Sequence, residues 1–338
     1  MCMACELLQG IDIDELSPPE GLPRYPVHFP DGLDQALVDP LLARGEGGAA
    51  AGRLRRCPPR RSNSHWRTEA LLPALQALVA RPDATPALGI ATVAIDDFRQ
   101  ARIEGRLKPD TRFVIALPTP YSLVAGADGA LHSPALLAGL ERCVAAELTM
   151  LLEAVPAGDL SIQFDVCAET RIWESRGRDL GAPRDLPERL LQSFVIIADA
   201  VPRDAEVGWH FCHRGHDGVV SGTPHDAGQI TRLAGAIIAS TDREPAFVDI
   251  PVPASRTDAD YYAPLANLAL WPAMDVYLAL LHPGDNVESA WRRFYAASTV
   301  LGRFGISPAC GADPAAVLPV LGQLLARAGG DVPAGDDD

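Results

Sequence analysis

Eleven residues near the middle of the chain, GWHFCHRGHDG at 208–218, carry three imidazoles and a thiol. His210 and Cys212 stand two apart in a run with strand character, EVGWHFC at 206–212. Side chains alternate along a strand, so both point to the same face. Cys310 closes a later run of the same kind, FGISPAC at 304–310. One imidazole and two thiolates brought together make a zinc site whose fourth position stays open for water or substrate. The same three residues also fit a hydrogen-bonded core histidine with two small buried cysteines. Spacing alone does not separate these readings, and the strand-end placement of all three is what favours a metal.

Other polar residues fall at the ends of apolar runs, where a strand hands its side chains to a site. Asp165 ends LSIQFDV at 160–166, and a carboxylate there is costly unless it holds a cation or hydrogen-bond donor. Glu169 follows it and fits either the site or the start of a loop. His213, His216 and His225 crowd the segment after His210 and suit proton transfer, substrate contact or a solvated loop. Asp249 and Arg256 flank PVPASRTD. Arg256 fits a bidentate clamp on a carboxylate or phosphate, or an ion pair with Asp258 or Asp260. His282 and Asp285 close VYLALLH at 276–282 and are candidate substrate contacts.

Something must hold these strand ends together. Apolar runs at 25–29, 87–95, 112–118, 160–166, 206–212, 246–252, 276–282 and 304–310 have strand length and β-branched enrichment. Helical spacing marks 133–155, with Ser133 as N-cap, and then 186–201, 226–240, 286–301 and 313–329. Alternating strands and helices imply a parallel sheet covered by helices. Eight strands predict a (β/α)8 TIM barrel over residues 21–328, with an open doubly wound sheet as the alternative. Residues 1–20 and 329–338 read as tails, and the arginine-rich stretch at 44–66 as a long loop or lid.

Composition narrows the partners. A net charge of −15 disfavours nucleic acid and anionic membrane surfaces. Apolar runs are too short to span a bilayer, and the start lacks the pattern of a secretory signal. Seven scattered cysteines suit free thiols in a reducing, cytoplasmic setting.

Several motifs, in order, resemble a known superfamily. IQFDVCAE is similar to the IQxDEP segment of the methionine synthase catalytic barrel, WHFC to its H-x-C pair, and SPACGAD to its PDCG. PVPASRTDADYYAPL (251–265), LALLHPGDN (278–286) and FGISPACG (304–311) resemble motifs of single-barrel members of the uroporphyrinogen decarboxylase and cobalamin-independent methionine synthase superfamily. The resemblance covers roughly residues 110–328. It implies zinc on His210, Cys212 and Cys310, with Asp165 holding the amino group of an amino-thiol substrate. Three departures stand out. Pro253 occupies the place of a further glutamate ligand, which leaves Asp249 as a substitute or the site with three protein ligands. Val166 replaces an acid. RLRRCPPRRSNSHW at 53–66 lacks the acidic and glycine residues of similar proteins.

Three functions follow as expectations. The first is a zinc-dependent methyltransferase that activates a thiol as thiolate, with His213 or His216 moving a proton and a folate or corrinoid protein as methyl donor. The second is a metal-independent decarboxylase or lyase, with Arg256 and carboxylates at work. The third is a non-catalytic barrel that binds a metal or partner.

Overall fold

The computed structural model describes residues 95, 98–107, 111–124, 133–175, 186–213, 224–270, 273–310 and 312–331. The expected strand at 25–29, the tail at 1–20, the 44–66 segment and His216 lie outside them. Six parallel strands follow in chain order, each hydrogen-bonded to the next: β1 (Phe113–Pro118), β2 (Leu160–Val166), β3 (Glu206–Phe211), β4 (Phe247–Pro251), β5 (Asp275–Leu281) and β6 (Gly305–Pro308). Helices follow the strands: α1 (Pro120–Val124), α2 (Pro134–Ala154), α3 (Ala168–Ser175), α4 (Leu186–Asp199), α5 (Gly228–Ser240), α6 (Ala259–Tyr262), α7 (Val287–Ser298) and α8 (Pro314–Asp331). Strands that run parallel need such crossovers.

The strands are two-faced. Ile162, Phe164 and Val166 alternate with Ser161, Gln163 and Asp165 on β2. Val207, Trp209 and Phe211 alternate with Gly208 and His210 on β3. The apolar set packs under the helices: the Trp209 ring lies 5.2 Å from Phe164 and 5.4 Å from Phe194 of α4. The other face carries a row set by register, with Asp165 beside His210, His210 beside Asp249 and Asp249 beside Tyr277. A buried parallel strand is ordinarily apolar on both faces. Polar groups recurring on one face therefore mark where the sheet bears a site.

Local signals explain the helix boundaries. The Ser133 hydroxyl accepts a hydrogen bond from Leu136 N at 3.3 Å and caps α2. Asn286 caps α7 in the same way through Ser289 N at 2.9 Å. Two expectations need correction. Ile95, the one described residue of the strand expected at 87–95, is helical. Ile95, Phe98 and Ala101 are buried at three-residue intervals, so helical spacing prevails there. Of the tail expected at 329–338, the first three residues are helical, because α8 runs to Asp331. Among the described residues no helix is long and apolar enough to cross a membrane.

Gly208 shows how tightly the polar face is packed below the site. A Cβ there would overlap the ring of Phe247, its partner across the ladder. That ring is held in turn by Tyr277, with centroids 5.9 Å apart. Gly208→Ala is expected to cost about 1–3 kcal/mol by overpacking. The midpoint of denaturant unfolding reads this directly, and an unchanged midpoint would show that Phe247 moves aside freely.

Candidate metal centre

β3 delivers His210 and Cys212 to one face, as alternation predicts, and Cys310 follows the end of β6. The ligand atoms of these three residues all lie within 4.8 Å of one another. Tetrahedral zinc with ordinary bond lengths holds such atoms roughly 3.6–3.8 Å apart, so only a small contraction is needed. His210 and Cys212 are buried, and Cys310 is half-buried.

The imidazole is oriented from behind. Nδ1 of His210 lies 2.8 Å from Asp249 Oδ2. The other carboxylate oxygen accepts a hydrogen bond from Ser307 Oγ of β6 at 2.6 Å. With Nδ1 engaged by the carboxylate, Nε2 is the atom turned toward the thiols. It is buried and makes no directed hydrogen bond. Both thiols lie close enough to act on the ring. A buried orphan nitrogen beside two sulfurs is costly in an ordinary core and is what a metal would satisfy. A carboxylate on the far nitrogen is the usual support of a ligating histidine.

Protonation within the cluster is what a cation would have to overturn. Burial opposes a positive His210 ring, but the hydrogen bond to Asp249 and the two thiols outweigh it and hold the ring well above its usual range. The contact with Cys167, followed by burial, pushes the Cys212 thiol up, although Cys310 opposes this. A divalent cation reverses both tendencies, since it displaces protons from imidazole and thiol alike.

Asp249 is therefore not the fourth ligand that the missing glutamate left open. It has 0% exposure, both oxygens are engaged, and it positions His210. Asp165, one residue before the end of β2, stands beside His210 in the register and accepts from Gln163 Nε2 at 2.9 Å. His213 follows Cys212 and is half-buried, and burial lowers its pKa to about 4. His225 is almost fully exposed beside Asp226.

The remaining candidates are engaged in the scaffold. Arg256 pairs with Asp258 at 3.1 Å, donates to the His225 carbonyl and lies over the Tyr261 ring. The ion-pair alternative describes it. Asp285 accepts the backbone N–H of His282 at 2.7 Å and pairs with the buried Arg293. Arg293 also donates to the carbonyls of Leu280 and Ala254, both at 2.9 Å. Two residues, Ser307 and Cys167, had no distinct signal in the sequence, and Glu169 was open to either reading. Ser307 acts on Asp249 from another strand. Glu169, buried at the start of α3, accepts from the Thr119 and Ser122 hydroxyls, and burial pushes its carboxyl up. Cys167 follows β2 and touches Cys212.

No protein-family model and no curated protein matches the chain. Among solved structures, the carboxyl transferase domain of Rhizobium etli pyruvate carboxylase with 3-bromopyruvate is 14% identical, covering 57% of this chain and 39% of that one at a TM-score of 0.26. The complete multifunctional pyruvate carboxylase of the same organism is also 14% identical, covering 65% and 27% at the same TM-score. The chain thus spans well under half the length of these structures, and a likeness of this size carries no argument about fold or activity.

Asp249→Ala is expected to weaken metal binding about 10–100-fold by freeing the His210 ring. Competition with a chromogenic chelator measures the affinity. Unchanged affinity would show that the Asp249 hydrogen bond does not prepare the imidazole for a metal.

Proposed function

We propose that this chain is a zinc-dependent methyltransferase acting on a thiol, built on a (β/α)8 barrel. The observation that carries the reading is the buried Nε2 of His210, oriented by Asp249 and facing Cys212 and Cys310. One imidazole and two thiols suit zinc by softness and leave one tetrahedral position for substrate. Held by His210, Cys212 and Cys310, zinc would stabilise a bound thiol as thiolate at neutral pH. Six sequential parallel strands are what strands three to eight of such a barrel require.

The chain's own groups do the rest. Asp165 offers a carboxylate at the strand end beside His210, placed for the ammonium group of an amino-thiol. His213 is uncharged at neutral pH and relays the thiol proton outward rather than storing it. Asp249 and Ser307 keep the His210 ring still. A methyl group on a folate or corrinoid protein would complete the reaction, and the free thiols suit a cytoplasmic setting. The metal-independent lyase reading would use Arg256 and nearby carboxylates, which here are engaged in ion pairs.

Metal analysis of the purified chain should find about one zinc per chain, with Cys212→Ala and Cys310→Ala each losing most of it while staying folded. In cobalt-substituted protein, thiols should perturb the sulfur-to-metal absorption. A chain without metal, or a metal indifferent to every thiol, sinks the proposal. Asp165→Asn should weaken amino-thiol binding by about 1–3 kcal/mol and leave zinc content alone. Equal binding across a panel of amino-thiols would remove Asp165 from substrate recognition.

A further inference from the structure

Next to the His210, Cys212 and Cys310 cluster stands a third thiol that the ligand set does not use. The register of β2 and β3 pairs Asp165 with His210 and Val166 with Phe211. The ladder continues one bond further, as Cys212 N donates to Val166 O at 3.1 Å. Cys167 is thus opposite Cys212, on the same face as Asp165 and His210 by alternation. Adjacent strands run about 4.8 Å apart, inside the Cα window that a disulfide tolerates. The two thiols are already in side-chain contact. The Cys167 backbone is pinned, because its N–H donates to Ser122 Oγ at 3.1 Å. Cys167 and Cys310 are half-buried, so a small oxidant has access.

We propose that Cys167 and Cys212 form a reversible oxidation site, in which a peroxide converts the pair to a disulfide and so removes a ligand from the metal centre. The metal part rests on the zinc reading above, whereas disulfide formation does not. The steps balance. The Cys167 sulfur attacks the peroxide as its proton passes to the departing oxygen; the O–O bond breaks, leaving a sulfenic acid and an alcohol, or water from hydrogen peroxide. The Cys212 sulfur then attacks the sulfenyl sulfur, the S–S bond forms and water leaves. Two electrons pass from the two sulfurs to the peroxide, and zinc keeps its oxidation state throughout. A sulfur bound in a disulfide is a poor zinc ligand, since the thiolate is the form that ligates. The remaining pair, His210 and Cys310, cannot hold the ion as firmly.

Cys310 also reaches Cys212 through its side chain, but its backbone is less suitably held for a disulfide. It follows β6, which β4 and β5 separate from β3, so no ladder holds the two backbones at bonding distance.

The test treats the purified full chain with hydrogen peroxide, follows free zinc with a chromogenic chelator and maps disulfides by peptide mass. The expected result is loss of bound zinc, a linked Cys167–Cys212 peptide, and recovery of zinc binding after a dithiol reductant. Cys167→Ser should bind zinc normally before oxidant and retain it at exposures that empty the unaltered chain. Zinc release from Cys167→Ser as fast as from the unaltered chain would overturn the proposal. So would a map showing Cys212 linked to Cys310, or Cys212 oxidised alone. If the chain holds no zinc at the outset, the zinc reading has failed, and the peptide map still decides whether Cys167 and Cys212 pair.

Discussion

A carboxylate with no access to water sits in the middle of this sheet, and everything around it is arranged to keep it there. Asp249 gives one oxygen to His210 on the neighbouring strand and takes a hydroxyl on the other from Ser307, two strands away. A buried ionised group is tolerated only when paired and hydrogen-bonded, so neither partner is dispensable. The arrangement fixes which His210 nitrogen faces forward. It also ties β3, β4 and β6 through side chains, beyond their backbone ladders. The apolar face supplies the burial, and this short chain of polar atoms supplies the orientation.

Much of this was legible in the residues. β2 spans the expected Leu160–Val166, because alternating apolar and polar positions there leave one choice of face. The same parity put His210 and Cys212 together, and the strand-end position of Cys310 brought it to them. β6 is shorter than expected. Its last residue is Pro308, which has no N–H, and the register slips between Ala279 and Leu281 opposite it.

What was not legible depends on neighbours distant in the chain. A strand aspartate reads equally as a ligand or as the support of one. Only the approach of Ser307, 58 positions away, assigns Asp249 to the second role. Arg256 and Asp285 bear the residue types of a substrate clamp, yet their forks are engaged by Asp258 and Arg293. Cys167 was one scattered thiol among seven until the β2–β3 register set it opposite Cys212. Residue type announces what a group can do, and register decides which group it does it with.

The three ligands are contributed from two places nearly a hundred positions apart, the end of β3 and the residues after β6. An ion held between them would act as a clasp, closing a long chain loop that the unfolded state must otherwise close unaided. At a hundred times its dissociation constant, an ion bound only by the native chain adds about 2.7 kcal/mol to the unfolding free energy. Without it, β6 would keep its ladder to β5 but lose the ion's tie to β3, so the final β/α unit would be held less firmly.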